Sequence, residues 1–377
     1  MKFFILGLPQ SKTVDPFNSP FSTCAFTSKV YYLCRMMTER GHQVIHLGNE
    51  GSNPPCTQHI SIGDPATWDE MYGIRKSNEF YRCDTNSYTE LFYDNARKAI
   101  LSFGFEPNTA IICLTFGSSQ KKAAEGTNQF MVESGIGYAN AFADLRVYES
   151  YAWMAENMGR QLKLWEGGKW YWCVIPNARD PEIYGPVSND KENFFLYIGR
   201  LNEDKGVELA CQTAQRVGVP IKIIGQGNPS KFLGPGVEYF PSMSPKDFHP
   251  LLAKARCLFS PTIYPEPFGN IAIEAGLSGC PVITTDFGVY PETILHGVTG
   301  YRCRTRGQFI WAAKNIDKIN PKDCRAWTEK NYGLAKIGQM YEEYFNMVLQ
   351  LKNPAGWESP EPERNNLDWL KKDYSLS

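Results

Sequence analysis

Short apolar runs alternate with helix-spaced segments along nearly the whole of this 377-residue chain, and the alternation starts twice. A pattern of this kind builds open parallel sheets wrapped by helices, since each strand returns to the same edge through a crossover. The expected fold class is therefore α/β, with an open parallel sheet wrapped by helices in each half. In the first half, strands are expected at 3–8, 41–47, 110–114, 129–132 and 171–175, and helices at 21–40, 88–103 and 146–158. Residues 51–87 show no clear period. In the second half, strands are expected at 194–198, 221–225, 237–240, 257–260 and 282–284. Helices follow from Asp204, from a Ser244 cap with proline at the first position, over 269–278 and over 306–351.

Between the halves, 176–190 is rich in Pro, Asn, Asp and Gly and has the composition of a linker. The expected domains are 1–186, 187–335 and a C-terminal segment, 336–377. With 42% hydrophobic and 21% charged residues, the composition suits a globular enzyme. A net charge of −1 recruits neither nucleic acid nor an anionic bilayer. None of the eleven cysteines stands at Cys-x-x-Cys spacing, so they read as small hydrophobes in a reducing compartment. The run 3–8 is too short for a signal peptide, and no stretch reaches membrane-spanning length. A cytoplasmic location with no membrane span is the expectation.

The most chemically informative segment is Tyr264-Pro-Glu266-Pro-Phe-Gly-Asn-Ile-Ala-Ile-Glu274. It follows an apolar run ending in Ser-Pro and opens a small-residue helix, so Glu266 falls in a loop and Glu274 on the helix. The first turn of such a helix exposes unpaired amides, here those of Phe268, Gly269 and Asn270, to an anion or to hydroxyls. Glu274 lies about 7–8 Å further along at about 1.5 Å per residue. A carboxylate accepts two hydroxyls at once and so matches a ribose diol. Two further segments carry phosphate-handling groups. Gly199-Arg200-Leu-Asn-Glu-Asp-Lys205-Gly206 leaves a strand end with two cations, and Gly225-Gln-Gly227 follows another strand.

Taken in order, Gly-Arg-Leu-x-x-x-Lys-Gly, Gly-x-Gly, Glu-x7-Glu, Gly279-Cys-Pro-Val and Tyr290-Pro-Glu resemble the donor-binding signature of retaining GT-B glycosyltransferases, especially glycosyltransferase family four. The resemblance implies that Arg200 and Lys205 hold the diphosphate of a UDP- or GDP-linked sugar. It implies further that Gly225 and Gly227 let backbone approach the nucleotide, and that Met243 meets the base through main chain. Glu266 and the amides of Phe268, Gly269 and Asn270 would fix the sugar, and Glu274 the ribose. It also implies a GT-B architecture of two Rossmann-like domains whose parallel sheets face a central cleft, with 1–186 the acceptor domain, 187–335 the nucleotide-sugar donor domain, and the last helices, 336–377, crossing back onto the first domain. No cofactor beyond the nucleotide sugar is implied, and without an Asp-x-Asp no metal bridge is expected.

The first domain departs from that pattern. Asn18-Ser-Pro-Phe-Ser22-Thr23 replaces the usual Gly-Gly pair, leaving Ser22 or Thr23 as a cap toward an anion. No histidine follows the mid-domain strand; Glu133, before Ser-Gly-Ile-Gly137-Tyr138, is the candidate there, either contacting the donor sugar or orienting an acceptor hydroxyl, or else serving a plain helix-capping or linker-binding role.

The expected reaction is retaining transfer of a hexosyl or pentosyl group by front-face substitution, with catalytic roles for Glu266, Arg200, Lys205 and Glu133. The acceptor hydroxyl is left open among glycan, lipid, metabolite and a hydroxylated nucleobase in modified DNA. A nucleotide-sugar epimerase of the same architecture and a non-catalytic sugar-nucleotide binder are the alternatives. A dinucleotide oxidoreductase is disfavoured, because the first strand is not followed by Gly-x-Gly-x-x-Gly.

Overall fold

The computed structural model describes residues 1–17, 24–73, 86–161 and 167–351. Residues 18–23, with Ser22 and Thr23, and those after Leu351 lie outside them. In the first domain the strands are β1 (Lys2–Leu6), β2 (Gln43–Gly48), β3 (Gln58–Ser61), β4 (Ile111–Leu114), β5 (Phe130–Ile136), β6 (Leu145–Tyr148) and β7 (Cys173–Val174). They pair in the order β3-β2-β1-β4-β5-β6-β7, parallel throughout. The second domain has β8 (Phe195–Ile198), β9 (Ile221–Ile224), β10 (Val237–Phe240), β11 (Cys257–Ser260), β12 (Val282–Thr285) and β13 (Gly300–Cys303). Their order is β10-β9-β8-β11-β12-β13, again all parallel. Each order reverses direction once, between β1 and β4 and between β8 and β11. Open α/β sheets bind ligands outside the carboxyl ends of the strands at such points.

The period-two alternation of each strand feeds two cores. On one face of the first sheet, Phe3 and Ile5 join Val30, Leu33 and Met37 of the helix Ala25–Glu39. On the other, Phe4 and Leu6 join Tyr88, Phe92 and Ile100 of the helix Ser87–Ser102. Burying each such side chain contributes about 1.5–3 kcal/mol. The helix Leu334–Gln350 also enters the first core, with Ile337, Tyr341 and Phe345 buried there and Phe345 4.9 Å from the ring of Phe3. The chain thus crosses between domains twice, and the crossings lie together: the Arg179 amide donates to Tyr332 O at 2.9 Å.

Several expected elements differ. Residues 146–148 were expected in a helix but belong to β6, because Leu145-Arg-Val-Tyr alternates toward the core; the helix is Tyr151–Gln161. The unassigned stretch contains β3 and the helix Pro65–Tyr72, capped by Asp64. β5 runs four residues past the expected end, so Glu133 sits inside it rather than at a strand end. The helix expected from Asp204 is delayed to Val207–Val217, after a tight turn at Glu203–Lys205.

Candidate functional site

Two loops leave the second sheet at its reversal point, one after β8 and one after β11, and they are held together by backbone. The Ile263 amide donates to Asp204 O at 2.9 Å. Gly206, at φ 70°, lies so close that a Cβ there would stand 2.2 Å from Pro261 O. Only glycine permits this approach and this dihedral. The consequence is chemical: the turn aims Lys205 across the gap, where its ammonium donates to the Glu266 carboxylate and, at 3.0 Å, to the Tyr264 hydroxyl. Both partners of the ion pair are largely buried, at 17% and 15% side-chain exposure, so the contact is little screened by solvent. Burial, then Glu266, pushes the Tyr264 phenol well up, while Arg200 pulls it the other way. Arg200 itself is exposed at the mouth, and the Tyr197 hydroxyl donates to its carbonyl at 2.8 Å. Lys205, Glu266 and Tyr264 therefore meet at one mouth, and Arg200, on the same loop as Lys205, acts on Tyr264 electrostatically.

The helix Asn270–Leu277 starts at the same mouth, with Phe268 buried beneath it. Four residues in, Glu274 turns toward the domain boundary, where Arg179 Nε lies 3.0 Å from Oε1 and His249 Nε2 stands 3.7 Å from Oε2. Burial raises the Glu274 pKa, but Arg179 and then His249 outweigh it, and the carboxyl is held below its ordinary value. A cavity of about 180 Å³ opens beside the pair, lined by Phe17 and Tyr32 of the first domain and by Tyr184, His249, Asn270 and Glu274. A carboxylate has about four lone-pair sites, so Glu274 can accept further hydroxyls while Arg179 stays in place.

The glycines of the Gly-x-Gly loop pack against the loop after β8. Gly225, at φ 153°, would place a Cβ 1.8 Å from Gly199 O, and one on Gly227 would stand 2.9 Å from Leu201 Cβ. Their bare faces accept the neighbouring loop, whose Leu201 amide donates to Gln226 O at 2.7 Å. Thus they set the position of Arg200 from behind. Met243 is half-buried between β10 and the helix Pro245–Lys254, with its side chain against the core.

Glu133 is fully buried in β5. It accepts from the amides of Phe142 and Ala143 at 2.7 and 2.8 Å and from the Tyr138 hydroxyl at 3.0 Å. Burial raises its pKa and those donors oppose the rise. Both carboxylate oxygens are thus taken up by the segment that follows β5.

Sequence reasoning missed a polar chain between the domains. Lys29 donates to Gly135 O at 3.0 Å and to Glu149; Glu149 accepts from Asn177 at 2.8 Å; Asn177 donates to Asn270 at 3.2 Å. Next to it the Ser150 hydroxyl donates to Pro267 O at 2.7 Å. Glu292, of the Tyr290-Pro-Glu segment, accepts from the amides of Tyr151 and Ala152 at 2.9 and 2.8 Å. It thereby caps a helix of the other domain. These partners are remote in sequence, so no local pattern announces them. The described residues contain no cluster of metal-ligating side chains and no helix long and apolar enough to cross a membrane.

With this geometry in view, the comparisons with known proteins are direct. Residues 179–332 match the family model of glycosyl transferases group 1. Over 125 residues the chain is 30% identical to glycogen synthase of Mycobacterium tuberculosis, covering 29% of this chain and 30% of that protein. It is 28% identical over 166 residues to the capsular polysaccharide biosynthesis glycosyltransferase CapM of Staphylococcus aureus, covering 40% and 43%. The chain thus spans well under half of these curated relatives. Among solved structures, AviGT4, a glycosyltransferase involved in avilamycin A biosynthesis, superposes with TM-score 0.65 at 19% identity over 92% of this chain and 98% of that one. A sucrose-phosphate synthase of Thermosynechococcus elongatus gives 0.68 at 16%, over 92% and 99%. The Anabaena protein HepE with UDP and glucose gives 0.61 at 16%, over the same shares. The fold is that of the GT-B glycosyltransferases, and its residues 179–332 are similar to group 1 glycosyltransferases.

Proposed function

We propose that the protein is a retaining glycosyltransferase that moves a sugar from a nucleoside-diphosphate sugar to an acceptor hydroxyl. The observation that carries this reading is the contact of Lys205 with Glu266, which puts a cation for the leaving group beside a carboxylate for the sugar. The group 1 match supports it, since 179–332 includes Arg200, Lys205, Glu266 and Glu274. In the free protein Lys205 and Glu266 neutralise one another. A bound donor divides them: the diphosphate takes Lys205 and Arg200, and sugar hydroxyls take Glu266 and the amides of Phe268, Gly269 and Asn270. Glu274 receives the ribose beside Arg179.

In the transfer, the bond from the anomeric carbon to the phosphate oxygen breaks and the bond to the acceptor oxygen forms on the same face. The acceptor proton passes to the departing phosphate oxygen. Arg200 and Lys205 meet the charge that grows there, stabilising that state more than the ground state. Glu133, bonded on all sides inside β5, acts at a distance by fixing Tyr138 and the 142–143 loop. Burial withdraws Glu133 itself from a nucleophile's part, which supports the front-face route. Nucleoside diphosphates and their sugars, screened by thermal stabilisation, identify the donor. NMR of the transfer product then tests retention: an anomer matching the donor is expected, and an inverted one refutes it. Conversion of the donor with no acceptor present would mark an epimerase instead.

A further inference from the structure

Two adjacent residues after β6 tie the first domain to the start of the helix Asn270–Leu277. The Ser150 hydroxyl accepts from the Trp153 amide at 3.0 Å and donates to Pro267 O at 2.7 Å, holding the residue that follows Glu266. Glu149 acts one step removed. Its Oε1 accepts from Lys29, and its Oε2 accepts from Asn177 Nδ2 at 2.8 Å. The same Nδ2 reaches Asn270 Oδ1 at 3.2 Å, so the two hydrogens of this amide serve both domains. Glu149, Ser150 and Asn177 are all buried. Glycine makes room for the ion pair, since a Cβ on Gly137 would strike Glu149 Oε1. Lys29 is anchored in turn on Gly135 O at 3.0 Å.

We propose that Glu149 is a positioning residue of the donor site: acting through Asn177, it fixes from the first domain the helix start that meets the sugar. The assignment rests on the transferase reading above. The linker and the helix match at two points. Asn177 and Arg179, two residues apart, bind Asn270 and Glu274, one turn apart on the same helix face. That helix opens on Gly269, at φ 76°, which supplies no side-chain cap, so its first-turn amides stay open to a ligand. Their place is therefore set by what grips Asn270 and Pro267 from outside. The relay ends at Asn270, whereas Lys205 and Arg200 stand on the loop after β8, so it bears on the sugar and not on the diphosphate. A hydrogen bond to a charged group is worth about tenfold or more in an equilibrium constant.

The test separates positioning from stability with two double variants and one single. Lys29→Met with Glu149→Leu removes the whole ion pair, an exchange for apolar residues that buried pairs often tolerate, and with it the acceptor for Asn177. Lys29→Met with Glu149→Gln keeps a carbonyl oxygen for Asn177. Asn177→Ala cuts the same link from the linker, and carries the test if the first double variant does not fold. Thermal melts check folding, and calorimetry measures binding of UDP, GDP, UDP-glucose, UDP-N-acetylglucosamine and GDP-mannose. The wild type is expected to bind at least one sugar nucleotide. The first double variant and Asn177→Ala should bind it at least tenfold more weakly, and the second double variant within about threefold of wild type. UDP and GDP affinity should be the same in all four proteins. Sugar-nucleotide affinity that is equal throughout, weakened alike in both double variants, or lost in step with UDP and GDP overturns the role. So does a wild type that binds UDP or GDP but none of the three sugar nucleotides. A wild type that binds neither UDP nor GDP refutes the transferase reading instead, a distinct outcome.

Discussion

The Lys205 ammonium donates to the Glu266 carboxylate across the gap between two loops, one following β8 and the other β11. In the proposed reaction each residue is the other's placeholder until a donor separates them. On the proposed reading, replacing Lys205 by Met removes one of the two cations opposite the leaving diphosphate. Loss of a preorganised charge of this kind costs about 10²–10³ in kcat. Steady-state kinetics should show that loss together with weaker donor binding. A variant with full kcat would remove Lys205 from the reaction.

Glu266→Gln leaves Lys205 unpaired but retains an oxygen for the sugar. Affinity for the free nucleoside diphosphate should hold or rise, because Lys205 is no longer neutralised, while kcat falls. Calorimetry with UDP and GDP set beside turnover separates the two effects. A parallel fall in both would place Glu266 on the phosphates instead.

Glu274 ties stability to pH. Its folded pKa lies below the unfolded value of about 4.3, owing to Arg179 and His249 working against burial. The unfolded chain therefore binds more protons in the acid range, and stability rises with pH there. This contribution is complete above the unfolded value and is lost as pH falls through the folded one. Glu274→Gln also leaves the Arg179 charge buried without its partner, a change that costs about 3 kcal/mol. Urea titrations should find the variant less stable at neutral pH and its acid limb shallower. Parallel curves for both proteins would deny Glu274 this part.

Glu292 caps, from the second domain, the first turn of the helix Tyr151–Gln161 in the first. Removing a helix cap costs about 0.5–2 kcal/mol. In Glu292→Ala, hydrogen exchange at the amides of Tyr151 and Ala152 should quicken, and small-angle scattering should report a wider spread of domain separations. Unchanged exchange at those two amides would contradict the latch.

Much of this arrangement was legible before any coordinates, and for a physical reason. The Arg200–Lys205 turn, Glu266 and Glu274 sit on contiguous segments whose apolar and glycine spacing fixes strand, loop and helix locally. Strands β8 to β12 were readable on the same grounds, being short apolar runs bounded by turn residues. What escaped was set by tertiary contact. Arg179 looks like an ordinary linker residue until the fold brings it to Glu274. Lys29 and Glu149 are separated by 120 positions, yet they meet in a buried pair. The packing of Gly225 and Gly227 against the backbone of the loop after β8 is likewise set by tertiary contact. Glu133 was placed at a strand end because its strand was read too short. Tyr264 adjoins the signature and was passed over, since nothing in Tyr-Pro-Glu tells that its hydroxyl faces Lys205.

The central claim is that Arg200 and Lys205 receive a nucleoside diphosphate at the mouth they share with Glu266. Calorimetric titration of UDP and of GDP into the wild type and into the Arg200→Ala, Lys205→Met double variant tests it directly. Saturable one-to-one binding of at least one nucleotide by the wild type, weakened tenfold or more in the double variant, is the expected result. Binding of equal strength by both proteins, or by neither, would contradict it.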